Sequence, residues 1–327
     1  MGNIWSQCFP PAPTLTEANL PSQKGKVFVI TGGTSGVGLE LAKILYNAGG
    51  TVYITGRSTK TVSAAISEIK AASAGHEGSV GVIDGVDIDL SDLSGIKAKA
   101  NELLHKTGKI DVLSLNAGVM VPPSGSKTAQ GLELQIGVNC VAHLLLAHLL
   151  TPALVTAAQA ATSSNAAPGT VRVVWASSLA VDLGAPKNGF KMSAIHNPPS
   201  SPQANYSYSK LGNWYLASYF STLPAITDNA ILSITQNPGN LKTKLQRNVG
   251  SFLDLLFTPL YHDAKFGAYT ELWASLSGEL GIQDQGAYVV PWGRRHPGPR
   301  KDLVKAIGEG KDREFAEWCE EQIRVFR

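Results

Sequence analysis

Short apolar runs alternate along the chain with longer stretches in which apolar residues recur at helical spacing. Val27–Ile30 is unbroken and rich in β-branched residues, which suits a parallel strand buried on both faces. Four glycines follow within seven residues, and then Leu39, Ala42 and Leu45 recur with helical period, so a helix begins near Gly36. The same pattern predicts strands at 51–55, 80–88 (interrupted at Gly85), 110–115, 171–176, 230–235 and 287–290. Helices are predicted at 61–72, 93–105, 131–161 with a bend at Pro152, 206–223 and, at the end, 303–326, with a small-residue loop at 162–169. Strands alternating with helices imply βαβ units, so the fold class is α/β: a doubly wound parallel sheet of about seven strands with helices on both faces. Right-handed crossovers then place a ligand outside the carboxyl ends of the strands. No internal repeat or long linker divides residues 25–327, which read as one domain behind a proline-rich, irregular tail at 1–24, where Phe9-Pro10-Pro11-Ala12-Pro13 forbids a helix.

Composition narrows the class. Of 327 residues, 43% are hydrophobic and 16% charged, enough for a sizeable core, and the net charge of +3 is too small to make nucleic acid the main partner. Cys8, Cys140 and Cys319 are scattered, with no CxxC, no HExxH and no His/Cys cluster of metal spacing, which points to a reducing, cytoplasmic setting without structural zinc. The most apolar stretch, 138–161, contains His143, His148 and Pro152 and reads as a core helix rather than a membrane span. No basic region followed by an apolar core marks a secretory signal. Met1-Gly2-Asn3-Ile4-Trp5-Ser6 matches an N-myristoylation pattern, with Cys8 as a second acyl candidate and weak peripheral membrane contact as the outcome. The preferred reading is an unmodified tail whose Ile4, Trp5 and Phe9 pack on the domain or on a partner.

The chemistry-bearing residues cluster at predicted strand ends. In the turn Gly32-Gly33-Thr34-Ser35-Gly36-Val37-Gly38, backbone can approach a pyrophosphate and a helix N-terminus follows, although the spacing is neither GxGxxG nor a P-loop. Alone, it is equally a tight turn. Arg57 stands at the end of the second strand, where no Asp or Glu lies between Thr51 and Lys60; it suits a 2′-phosphate, against the alternative of a solvated surface Arg, and favours NADP over NAD. Asp89-Leu90 ends the third strand, the carboxylate either accepting from an adenine amino group or capping a helix. Asn116-Ala117-Gly118 lets backbone pass close to an adenine ribose. Asn139, an amide among apolar neighbours, needs partners and either binds water or fixes the neighbouring strand. Ser178 ends the fifth strand and can hydrogen-bond a substrate oxygen. Tyr206 and Lys210 are i,i+4 on one helix face, so an ammonium beside the phenol would lower a pKa that otherwise lies near 10. The rival Tyr208 has Gly212, not Lys, at i+4.

Taken in order and in strand context, Thr31-Gly32-x-x-x-Gly36-x-Gly38, Asn116-Ala117-Gly118, Asn139, Ser178, Tyr206-x-x-x-Lys210, Pro238-Gly239 and Thr243 resemble the short-chain dehydrogenase/reductase family over about residues 24–290. Tyr206-Ser-Tyr-Ser-Lys210-Leu-Gly-Asn213 is similar to the retinol-dehydrogenase-like and WW-domain-oxidoreductase-like branch, and 286–294 to its fungal members. The resemblance implies a single-domain Rossmann fold and a metal-free, NAD(P)-dependent interconversion of alcohol and carbonyl. It implies Tyr206 as general acid/base, Lys210 on the nicotinamide ribose, Ser178 orienting the carbonyl and Asn139 holding a relay water. It puts Pro238, Gly239, Leu241 and Thr243 beside the nicotinamide. One departure is the long separation of Ser178 from Tyr206: the insert at 181–205 is either a substrate loop or a surface excursion.

The apolar stretch 245–262 reads as a lid over the nicotinamide or as an amphipathic helix packed on the core; the lid reading implies a bulky, mostly apolar substrate of polyketide, terpenoid, steroid or retinoid type. The basic run at 294–301 lacks a nucleic-acid reading element. Trp214, Tyr215, Tyr219 and Phe220 on the tyrosine helix allow a homodimer of the kind found in the family. The competing functions are a cofactor-binding scaffold with little turnover and a non-redox reaction such as a cyclisation; the presence of all four catalytic residue types favours the oxidoreductase.

Overall fold

The computed structural model describes residues 2–76, 78, 80–242 and 261–327. The first part of the chain runs α1 (Gly2–Cys8), β1 (Val27–Ile30), α2 (Gly36–Asn47), β2 (Thr51–Gly56), α3 (Thr59–Ala72), β3 (Val82–Asp87), α4 (Leu93–Lys106) and β4 (Val112–Leu115). A continuous helical run follows, made of α5 (Leu134–Ile136), a π-turn (Gly137–Val141) and α6 (Ala142–Ser163). Then come β5 (Arg172–Ala176), α7 (Ala180–Gly184), α8 (Met192–His196), α9 (Pro202–Phe220), α10 (Pro224–Thr227) and β6 (Leu232–Gln236). The chain ends with α11 (Ala264–Leu276), β7 (Tyr288–Val290), β8 (Arg294–Arg295), α12 (Lys301–Gly308) and α13 (Lys311–Ile323).

The strands form one sheet in the order β3-β2-β1-β4-β5-β6-β7-β8, parallel throughout except for the short β8, which pairs antiparallel with β7. The order reverses between β1 and β4, so a crevice opens there at the carboxyl ends. Successive residues of one strand feed opposite cores. Val29, Leu113, Val173 and Trp175 join the core beneath α4, α6 and α9, while Phe28, Ile30, Val112, Val174 and Ile234 join the one beneath α2, α3 and α11. That is why these strands read as unbroken apolar runs.

Several expectations shift. β3 runs through Gly85 without interruption: a Cβ there would come within 2.5 Å of the Ile54 carbonyl and 2.6 Å of the Val62 side chain, so the glycine lets the strand lie close to its neighbours. Pro152 lies inside α6, which continues past it. The C-terminal segment is two helices, separated at Gly310 by a left-handed φ of 85°. The tail is not wholly irregular. Residues 2–8 are helical, and the prolines act only from Pro10. Trp5 and Phe9 do not pack on the domain; they are 68% and 49% exposed and lie against each other at 4.5 Å, while Gln7 is the buried residue. The aromatic cluster of α9 is not free for pairing either. Trp214 donates to the Gly286 carbonyl, Tyr215 packs on Phe190 and Phe315, and Tyr219 donates to Glu320, so the chain's own insert and α13 cover that face.

The insert is bolted down rather than free. Arg300 donates to the carbonyls of Ala185 and Val181, Asp302 accepts from the Asn188 amide, and Phe190 packs between Tyr208 and Phe315.

One buried acid has a measurable consequence. Glu271 on α11 is wholly buried, and burial pushes its carboxyl up to about 8, with the nearby Ser114 hydroxyl offsetting part of the shift. Neither carboxyl oxygen has a partner of ordinary hydrogen-bond geometry. In the unfolded chain the group ionises near 4.3, so between these two values the unfolded state releases a proton that the folded state keeps. Stability therefore falls with rising pH, by about 1.4 kcal/mol per pH unit for this group. Glu271→Gln removes the contribution. Its advantage over wild type in chemical denaturation should be small near pH 4, grow toward pH 8 and then level off; an advantage independent of pH would mean that the folded carboxyl is already ionised.

Candidate active site

The crevice at the strand ends is a cleft of about 900 Å³. One end is built by the β1–α2 turn. Gly32 and Gly36 take left-handed φ values of 68° and 58°, and a Cβ on Gly32 would stand 2.9 Å from the Ala117 backbone. A Cβ on Gly38 would meet the Asn116 amide at 2.6 Å and the Gly32 carbonyl at 2.8 Å. Asn116 in turn donates to the Thr31 carbonyl at 3.0 Å, and Thr31 Oγ1 accepts from the Ala117 amide at 2.9 Å. The two turns are thus locked together. Ser35 caps α2 without a side-chain hydrogen bond, so the first amides of the helix have no cap where Thr34, Ser35, Gly36 and Val37 line the cleft. Uncapped amides at the positive end of a helix, reached across side-chain-free turns, fit a dinucleotide pyrophosphate.

Arg57, Asp89, Leu90, Asn116, Ala117 and Gly118 line the same cleft. Arg57 is exposed and makes no ion pair among the described residues. Asp89 is not the helix cap. Its carboxylate accepts from the amide and hydroxyl of Ser91, and Asp92 caps α4. Pro238, Gly239 and Leu241 line the far end, where Leu241 packs with Val37 and Trp292. Thr243 and residues 245–260 lie outside the described residues; of the expected lid, Tyr261 lines the cleft and His262 stands edge-on to Trp292 at 4.9 Å. No residue of the insert 181–205 lines it.

At the floor, β5 and α9 bring Ser178, Tyr206 and Lys210 together. Ser178 Oγ accepts from the Ala180 amide at 3.1 Å, and its hydroxyl lies near the Tyr206 phenol. Lys210, 3% exposed, donates to the Ala176 carbonyl at 2.9 Å and stands 5.7 Å from the centre of the Tyr206 ring. Burial draws its ammonium down to about 8. The expected acidification of the phenol by Lys210 is not met in the chain by itself. Tyr206 is partly open to the cleft, but its crowded surroundings push the phenol up to about 12, and the group that offsets this is the Ser178 hydroxyl.

Asn139 lies behind the cleft, fully buried in the π-turn. Its amide accepts from the Val119 N–H at 2.8 Å and donates to the Val119 carbonyl and to Ser209 Oγ, so it fixes the chain leaving β4. Sequence reading missed two residues of this layer. His143, whose imidazole burial holds down at about 4, is neutral; its Nδ1–H can only donate to the Asn139 carbonyl at 3.0 Å, so Nε2 accepts from the Thr31 hydroxyl at 3.1 Å. Its place four residues after Asn139 was the available signal. Tyr288 donates to Ser177 Oγ and to the Ser178 carbonyl, holding the backbone that carries the serine; nothing in the sequence links positions so far apart.

Comparisons with known proteins identify the family. The family model described as short chain dehydrogenase matches residues 26–179. The short-chain dehydrogenase/reductase iacJ of Pestalotiopsis fici is 40% identical over 97% of this chain and 96% of its own length. The short-chain dehydrogenase/reductase bet4 of Neocamarosporium betae is 37% identical over 100% of this chain and 94% of its own. Among solved structures, a putative uncharacterized protein from Mycobacterium paratuberculosis superposes with a TM-score of 0.67 at 26% identity, covering 94% of this chain and 97% of that one. With a parallel sheet, the glycine cradle and relatives of this closeness, the chain belongs to the short-chain dehydrogenase/reductase family, as an NAD(P)-dependent oxidoreductase with fungal relatives.

Proposed function

We propose that the protein interconverts an alcohol and a carbonyl on a bulky, mostly apolar molecule, with NADP(H) as the preferred cofactor. The observation that carries this reading is the meeting of Ser178, Tyr206 and Lys210 on the cleft lining, with Lys210 Nζ 5.7 Å from the centre of the Tyr206 ring. When bound, the nicotinamide supplies or accepts the hydride. Gly32, Gly36, Gly38 and the uncapped start of α2 would hold its pyrophosphate, Lys210 its ribose, and Pro238, Gly239, Leu241 and Thr243 its amide end. For reduction, Ser178 orients the carbonyl oxygen and Tyr206 gives it a proton. The phenol holds its proton across the ordinary pH range, and the Lys210 ammonium with an oxidised nicotinamide would bring its acidity nearer to that range. Gly118 passes close to both Asn139 and Lys210: a Cβ there would lie 3.2 Å from the Asn139 side chain and 3.5 Å from Lys210 Nζ.

The apolar preference rests on Met120, Leu134, Val138, Leu241 and Tyr261 in the cleft lining. The preference for NADP rests on Arg57 at the end of β2. Weak membrane contact, if it occurs, would be made by the exposed Trp5–Phe9 pair. Absorbance of the reduced nicotinamide, followed with NADPH and a panel of apolar and small charged ketones, tests the whole reading. Consumption with the apolar members is expected; turnover confined to small charged carbonyls would overturn the substrate class.

A further inference from the structure

We propose that α1 belongs to the framework of the active site and that Gln7 is a positioning residue joining the Pro238–Gly239 turn to the segment that follows Ser178. This rests on the reading above, in which these two segments flank the reacting atoms. A helix of seven residues has no stability of its own, so α1 is held by what it docks on. Its aromatic side chains hold it little, since Trp5 is 68% and Phe9 is 49% exposed, and Ile4 is half-buried. The hold is polar and centred on Gln7, which is 1% exposed.

Gln7 reaches both walls of the site. Its carbonyl oxygen accepts from Asn237 Nδ2 at 2.8 Å, and its Nε2 donates to Asp182 Oδ2 at 2.9 Å. Asn237 passes the first contact on, because its Oδ1 accepts from the Gly239 amide at 3.0 Å while its own amide donates to the Val289 carbonyl. Asp182 lies in α7, which begins directly after Leu179, and Val181 and Asp182 donate backbone bonds to the Ser178 and Leu179 carbonyls. Gln7 Nε2 and His296 Nε2 lie 3.3 Å apart and converge on the same carboxylate oxygen. The Gly298 amide donates to His296 Nδ1 at 3.1 Å, so Nε2 carries the hydrogen and donates to Asp182 Oδ2 at 3.3 Å. Asp182 therefore accepts from both His296 and Gln7, and the Gln7 amide orientation is the one that satisfies Asn237 and Asp182 together. Arg294 completes the dock by donating to the Ser6 carbonyl at 2.6 Å. Without Gln7, Asn237 loses its acceptor, Asp182 loses one of two donors, and the spacing between the walls loses its tie. Reacting groups are sensitive to displacements of this size.

The test uses the full chain carrying Gln7→Met, which keeps the volume and removes both bonds, Gln7→Glu, and Trp5→Ala as the control on the outer face of α1. Amide hydrogen exchange, read without cofactor, should be at least about tenfold faster at 237–241 and 179–183 in Gln7→Met, with the β1 and α2 amides unchanged. Its kcat for NADPH-dependent ketone reduction should fall about tenfold, more than KM rises, whereas Trp5→Ala changes neither. Gln7→Glu should approach wild type as pH is lowered, since a protonated Glu can donate to Asp182 and accept from Asn237 as Gln does. Unchanged exchange at the two segments in Gln7→Met, or a uniform rise over the whole sheet, overturns the proposal. If the wild-type chain turns over no ketone, the oxidoreductase reading fails on its own, and the exchange pattern still decides whether Gln7 fixes the turn.

Discussion

Tyr206→Phe should lower kcat by about 10²–10⁴-fold while leaving the dissociation constant of NADPH within about twofold of wild type. The substitution removes one oxygen. The ring remains to line the cleft, and Lys210 keeps its bond to the Ala176 carbonyl, so nothing in the nucleotide cradle changes. What is lost is the cleft-lining phenol that stands near Ser178 and has a lysine one helical turn on. Ser178 still has its hydrogen, but in the proposed mechanism it orients the carbonyl. Steady-state kinetics with any ketone that the wild type accepts, paired with a fluorescence titration of NADPH, separates the two effects. A rate unchanged in Tyr206→Phe would remove the assigned acid.

Arg57→Asp should weaken NADPH by about tenfold to a hundredfold while changing NADH by much less. Arg57 stands at the end of β2, lines the cleft and is exposed, with no competing ion pair among the described residues, so its charge is available to a phosphate. The carboxylate put in its place would repel a 2′-phosphate and accept from free ribose hydroxyls, so the effects on the two cofactors should have opposite tendencies. Solvent screening at an exposed site keeps the figure to this range. Equal losses for the two cofactors would withdraw the case for NADP.

Most of this fold was legible because its strands are buried on both faces and so read as plain apolar runs, and because Gly32, Gly36 and Gly38 mark a turn where the backbone is crowded or left-handed. Ser178, Tyr206 and Lys210 were legible through chemistry and spacing. What escaped was decided by tertiary contact. Asp89 and Asp92 are both capping types, and only the observed bonds separate their roles. The aromatic face of α9 looked available because local sequence does not show that α13 covers it. For Tyr206, i,i+4 spacing brings Lys210 near but does not show how strongly burial opposes ionisation in the chain by itself. Gln7 gave no signal, since its partners lie 175 and 230 residues further along the chain.

The packing of α13 against α9 bears on the order in which the protein is made. Phe315 fills the space that Gly212 leaves beside Cys140, so the helix carrying the tyrosine and lysine rests on residues translated long after it. A nascent chain halted before Lys311 would present α9 with an aromatic face stripped of its cover. Synthesis of α13, not of the tyrosine itself, is then what completes the packing behind the helix that carries it.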